Sequence, residues 1–205
     1  MPSTLDVVNN CLATLGEVPL SSLSEPHEFK SAALGYLDKA DRSIQSRGWW
    51  YNTEELTLTP APSTGHMTIP GDCLKVATGF KSFVNSRQTK HNARYVQRGR
   101  RIYDLVNATY EITEESELEV QIVRRVPLAD LPECIAEYIN NETVLRFQSR
   151  YDSDSNKRKE LGEDVGAARV YANAEHIRQT RHNLLTTNPT LARLKAITNS
   201  VRYYR

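Results

Sequence analysis

The sequence predicts an α+β fold: an antiparallel helical bundle with an antiparallel β-domain inserted between its second and third helices, and a C-terminal extension. Three observations carry that prediction. Apolar residues recur at helical spacing from Thr4 to Arg47 and again from Asp130 to Gln179. The stretch between alternates in short runs broken by Pro, Gly, Asn and Ser, the texture of antiparallel strands. Beyond residue 181 the pattern breaks at Pro189 and no acid follows Glu175. The chain therefore divides into a helical bundle of residues 1–49 and 128–181, a β-rich domain of 50–127, and an arm of 182–205.

The first helix spans Thr4 to Leu15, with Leu5, Val8, Leu12 and Leu15 on one face and Gly16 as a left-handed cap. A loop with Pro19 and Pro26 leads to a second helix from about Glu28 to Arg47, whose inner stripe is Ala33, Tyr36, Leu37, Ala40 and Ile44. Gly48 ends it, and Trp49, Trp50 and Tyr51 follow at once. After a glycine cap the next apolar residue tends to fold back on the last helical turn. These rings are expected either as a buried corner fixing the angle between bundle and sheet or as an exposed partner site; burial is where aromatic rings contribute most. Strands follow in "EELTLTP", "LKVATGF" and "ELEVQIVRRV", and "YVQRGRRIYDL" reads as a hairpin turning at Gly99. Asp130 with Glu133 predicts a capping box for a third helix to about Arg150, with Ile135, Tyr138, Ile139 and Leu145 on one face. A fourth helix runs from about Asn156 to Gln179 on a stripe of Leu161, Val165, Ala168 and Ala172.

Bulk properties exclude more than they assign. A chain of 205 residues can bury a core without staples, and a net charge of +1 points to no partner. Cys11, Cys73 and Cys134 are odd in number and far apart, which fits reduced thiols made in a cytoplasm rather than a disulfide scaffold. The N-terminus lacks a basic start and an apolar stretch, so no signal peptide is expected; no run approaches membrane-spanning length. The five histidines form no metal-binding pair, and no nucleophile elbow or phosphate-cradling loop is present. Asp152, Asp154, Asn156 and Glu163 echo a calcium loop, but Lys157 stands where the turn needs Gly, so a polar loop capping the fourth helix is expected instead. No cofactor is implied. Glu54 with Glu55 and Glu114 with Glu115 cannot form a hydrolytic pair on a strand, because adjacent side chains face opposite ways.

Two features call for partners. Eight bases and no acid lie from Lys75 to Arg101, among them Arg94, Arg98, Arg100 and Arg101; six acids and no base lie from Asp104 to Glu119, among them Glu114, Glu115 and Glu117. These blocks are solvated faces of one sheet, or a contact between neighbouring subunits, or a nucleic-acid surface. The second feature is the arm. Leu191, Leu194 and Ile197, spaced by three, stand with Arg193, Lys195, Arg202, Tyr203 and Tyr204. Such an apolar content exceeds that of an ordinary disordered tail, so the arm either packs on its own domain or docks on another protein.

With these segments in place the chain resembles a known family. "VVNNCLATLGEVPLSSL" (7–23), "DRSIQSRGWWYNTEELTLTP" (41–60), "YVQRGRRIYDL" (95–105) and "LPECIAEYINNETVLRFQSRY" (131–151) resemble, in order, the tail tubular protein A family of short-tailed, podovirus-type bacteriophages. The resemblance implies a structural virion protein and no enzyme: a dodecameric head-to-tail adaptor ring. It implies a place in the virion tail between the portal protein and a nozzle of the tail tubular protein B type, with tail fibres or tailspikes near the nozzle junction. Genomic DNA would pass through the centre. The alternatives from other classes are a nucleic-acid-binding protein using the 75–101 block and a tail-associated glycan hydrolase.

Overall fold

The computed structural model describes residues 2–79, 94–152 and 154–180. The arm from 182 to 205, with every docking residue named above, lies outside them, as do Lys81, Arg87 and Lys90 of the basic block.

Four helices form the larger part: α1 (Thr4–Thr14), α2 (Lys30–Gln45), α3 (Glu133–Tyr151) and α4 (Ser155–Thr180). Between α2 and α3 come β1 (Thr53–Leu58), β2 (Cys73–Ala77), β3 (Tyr95–Arg98), β4 (Arg101–Asp104) and β5 (Leu118–Arg124). The architecture is α+β, in the predicted element order.

Helix α1 starts on a capping box. Ser3 Oγ accepts from the Asp6 N–H, and the Asp6 carboxylate accepts from the Ser3 N–H at 2.8 Å. Helix α3 does not start that way. Leu131 and Pro132 are extended, so the helix begins at Glu133 with Pro132 as its cap. Asp130 closes a single 3-10 turn with Leu128 and Ala129 instead. Glu133 is then the first helical residue, too early to reach back as a capping box requires. The expected polar loop before α4 is present: Asp154 Oδ1 accepts from the Asn156 and Lys157 N–H groups at 2.9 and 3.2 Å, the geometry of an N-cap.

Helix α3 is the hub and packs against α1, α2 and α4. A single stripe could not serve three neighbours. Val144 and Phe147 are buried beside the predicted Ile135, Tyr138 and Ile139, whereas Leu145 is half-buried. Phe147 meets Phe29 and Tyr36 edge-on in one apolar cluster with Val8, Leu12 and Ala33. Leu37, Ile44, Ile135, Ile139, Ala168 and Ala172 build a second cluster. Ala168 and Ala172 allow α4 to lie close to α3, as its small stripe predicts.

The strands form two antiparallel sheets, β1-β5-β2 and β3-β4. Thr53 pairs with Val123 and Leu58 with Leu118, which fixes the β1–β5 register and turns Leu58, Leu118, Val120 and Ile122 into a third apolar cluster. The β3–β4 hairpin turns at Gly99, whose φ of +61° falls on the first of the two turn residues, the type II′ pattern. An extended segment not foreseen in the sequence flanks the hairpin. Ile69 N–H donates to the Arg100 carbonyl and Ile102 N–H to that of Met67, placing Met67 and Ile69 in the β core.

Candidate functional site

Among the described residues, two regions concentrate the polar chemistry. The first is the joint between helices and sheet. The last carbonyls of a helix have no partner within it. At the end of α2 two side chains from the following corner supply partners: Trp49 Nε1 donates to the Ile44 carbonyl at 2.7 Å, and Asn52 Nδ2 donates to that of Gln45 at 3.1 Å. Gly48 is required here for two reasons. Its φ is +80°, and an added Cβ would come within 3.2 Å of Val123 Cγ2 on β5.

Trp49 is 3% exposed, and Trp50 and Tyr51 are half-buried. The rings stack edge-on in sequence, Trp49 to Trp50 at 6.4 Å and Trp50 to Tyr51 at 5.4 Å. His176 of α4 lies against both indoles. The rings thus belong to the helical core, clustered with Leu37, Ile135 and Ala172. The link to the sheet is made by polar residues that sequence reasoning passed over. Asn52 is fully buried; its Oδ1 accepts from Trp49 N–H at 2.8 Å, and its Nδ2 also reaches the Arg124 carbonyl at 2.9 Å. Gln45, also fully buried, receives the Val126 N–H and donates to the Val126 carbonyl. It also donates to Asp41, which Arg125 grips from the other side at 2.7 Å. A signal for these residues existed. Asp41 and Gln45 share a face with Leu37 and Ile44, and polar residues in an apolar stripe are buried only when bonded.

A shallow cleft of about 480 Å3 opens beside this joint, with Leu34, Leu37, Asp38, Asp41, Asp72 and Arg125 among its walls. Burial pushes the Asp38 carboxyl up, but Arg125 and Arg42 outweigh it; Arg124 pulls Asp72 below the usual carboxylate range. A glycan-cleaving general acid needs the opposite shift.

The second region is the β3–β4 hairpin. Arg94 belongs to the basic block and Glu114 to the acidic one, for which a contact between neighbouring subunits is one of three readings. The two meet within one chain instead: Arg94 bonds Glu114 at 2.5 Å and makes two bonds to Asp104, at 2.6 and 2.8 Å. Asp104 is 1% exposed and also receives the Val106 and Asn107 N–H groups. These bonds form because Asp104 ends β4 directly opposite Tyr95, the neighbour of Arg94. At the other end of the hairpin Arg98 stacks on Tyr103 at 3.7 Å, Arg101 on Tyr110 at 4.3 Å, and the two tyrosines meet at 4.9 Å. Arg100 lies over Gly71.

The Arg94 guanidinium, opposed by burial and helped by the two backbone donors, holds the Asp104 carboxyl down at about 2. A carboxyl lowered on folding stabilises the fold above its unfolded pKa and ceases to do so as pH falls through the folded value. The stability gap between the wild type and Asp104→Asn should therefore narrow as pH falls from about 4, the ordinary aspartate range, towards 2. Melting temperatures across that window measure it, and a gap independent of pH would refute the assignment.

A family model described as tail tubular protein matches residues 5–191. Tail tubular protein A of Klebsiella phage KP34 is 24% identical over 184 residues, which is 89% of this chain and 91% of that protein. A solved structure described as the neck of an empty GTA particle, computed with C6 symmetry, is 16% identical and covers 74% of this chain and 82% of its own, with a TM-score of 0.31. The sequence matches, on a fold whose strongest polar groups are consumed by internal joints, define a class: a structural component of the bacteriophage tail. The chain belongs to the tail tubular protein family. No helix among the described residues is long and apolar enough to cross a membrane.

Proposed function

We propose that this protein is the head-to-tail adaptor of a short-tailed phage. Twelve copies form a ring between portal and nozzle, with fibres or tailspikes attached near the nozzle junction and the genome passing through the centre. The observation that carries this reading is the tail tubular match over residues 5–191, joined by likeness to a tail tubular protein A along nearly its whole length. Within it, the helical part (1–49 and 128–181) is the ring-building body, residues 50–127 are a β-rich domain, and residues 182–205 are the arm that docks on the portal. Leu191, Leu194 and Ile197 would occupy an apolar groove there, and Arg193, Lys195, Arg202 and Arg205 would meet acidic or backbone acceptors, with Tyr203 and Tyr204 part of the same arm.

The test combines imaging and truncation. Negative-stain images of the full chain should show monomers or small oligomers alone and rings when portal is added. A chain ending at residue 181 should melt like the full protein and fail to bind portal. A stable dimer indifferent to portal would overturn the adaptor reading. A truncated chain that still binds would move the docking surface off the arm.

A further inference from the structure

The hairpin and the acidic stretch before β5 carry two poles of opposite charge, and among the described residues Arg98, Arg100 and Arg101 form no ion pair with Glu115, Glu117 or Glu119. At the hairpin's open end Arg94 ties Asp104 and Glu114 together, which pins the acidic stretch leading into β5 against the hairpin base. At its turn end Arg98, Arg100 and Arg101 are exposed. Arg98 stands four positions after Arg94, about 13 Å along an extended strand. That exceeds the screening length of about 8 Å at physiological salt, so the charges at the two ends of β3 are largely screened from each other. Among the described residues, no ion pair is formed by Arg98, Arg100 or Arg101, nor by Glu115, Glu117 or Glu119.

The basic pole is also pre-ordered. A free arginine must surrender side-chain freedom to make a contact. Here the guanidiniums of Arg98 and Arg101 already rest over the rings of Tyr103 and Tyr110, and a guanidinium held over a ring still offers its N–H groups to carboxylates. Two different, complementary patches on one surface fit a head-to-tail contact, the kind that closes into a ring.

We propose that the arginine-bearing hairpin turn of one subunit docks on the acidic entrance to β5, Glu115 to Glu119, of the next copy of this chain. This rests on the ring reading above. It assigns the inter-subunit contact to Arg98, Arg100 and Arg101 on one side and to Glu115, Glu117 and Glu119 on the other. Arg94 and Glu114 act inside the subunit and hold the acidic pole in place.

Two charge-reversed proteins test it: Arg98→Glu with Arg101→Glu, and Glu117→Arg with Glu119→Arg. Each alone presents like charges across every contact. Mixed, they restore opposite charges at both kinds of contact in an alternating ring. Portal-templated assembly, read by sedimentation and negative stain, should be lost in each protein alone, return in the equimolar mixture, and weaken with added salt. Melting curves confirm that both variants are folded. Assembly of either variant alone at the wild-type level would overturn the proposal while leaving the ring intact, as would folded variants whose mixture stays unassembled. A wild type that forms no ring under the same conditions would remove the adaptor reading itself. Wild-type protein that shifts duplex DNA at physiological salt, with the shift lost in the arginine variant and no rescue in the mixture, would give the hairpin to nucleic acid.

Discussion

Trp49→Ala should destabilise the folded protein by about 3–5 kcal/mol, the range for truncating a large buried ring. Three contributions act together. The indole leaves a cavity among α2, α3 and α4, where it is 3% exposed. Its N–H is withdrawn from the Ile44 carbonyl at the end of α2. The edge-on neighbours Trp50 and His176 lose the surface they pack on. Trp50→Ala should cost distinctly less, because that ring keeps part of its surface in water. Urea unfolding of both variants measures the difference. Equal losses, or an unchanged midpoint for Trp49→Ala, would show that the corner is not anchored in the helical core.

Asn52→Ala should be the second large loss, about 2–4 kcal/mol, and its origin is different. The side chain is small, and little apolar contact is removed. What disappears is one acceptor for the Trp49 N–H and two donors, to the carbonyls of Gln45 and Arg124, all at a fully buried position. Each buried polar group left without a partner costs about 1–3 kcal/mol, and some of that is recovered where another donor shares the carbonyl, as Gly48 N–H does at Gln45. Asn52→Asp sharpens the test. It keeps the acceptor but places a carboxylate against two carbonyl oxygens, so it should be worse than alanine although the shape is nearly unchanged. Asn52→Asp matching the wild type in chemical denaturation would mean that the joint is held by packing alone.

These two residues also show how much of the fold was legible in the sequence. Trp49 was visible because a ring after a helix-ending glycine has few places to go. Gly99, Gly16 and the alternating strands were visible for the same kind of reason: a local rule with a local cause. Asn52 was not, because its partners lie at Gln45 and Arg124, the second of them distant in the chain. The partners of Arg94 were hidden for a related reason. Charge counted along the sequence groups it with Arg98 and Arg101, but pairing across the hairpin sets Asp104 opposite Tyr95, next to Arg94. Charge segregation in sequence therefore overstates segregation in space wherever a hairpin folds one block on the other. The missing capping box at Asp130 reflects a competing local rule, since Pro132 disfavours the helical region at Leu131 and so separates Asp130 from the start of α3.

The hydrogen bond from Arg124 N–H to the Asn52 carbonyl, 2.8 Å long, brings the departure and return of the inserted chain side by side. A segment whose ends touch behaves as a closed cassette. The entropy of closing it grows only as the logarithm of its length, so adding or removing residues in its distal loops is thermodynamically mild. Length changes between 59 and 117 leave the phase of α2 against α3 untouched, because the clamp at 52 and 124 absorbs them. Selection can therefore reshape the β part of such a protein, residue by residue or loop by loop, while the helices keep their arrangement.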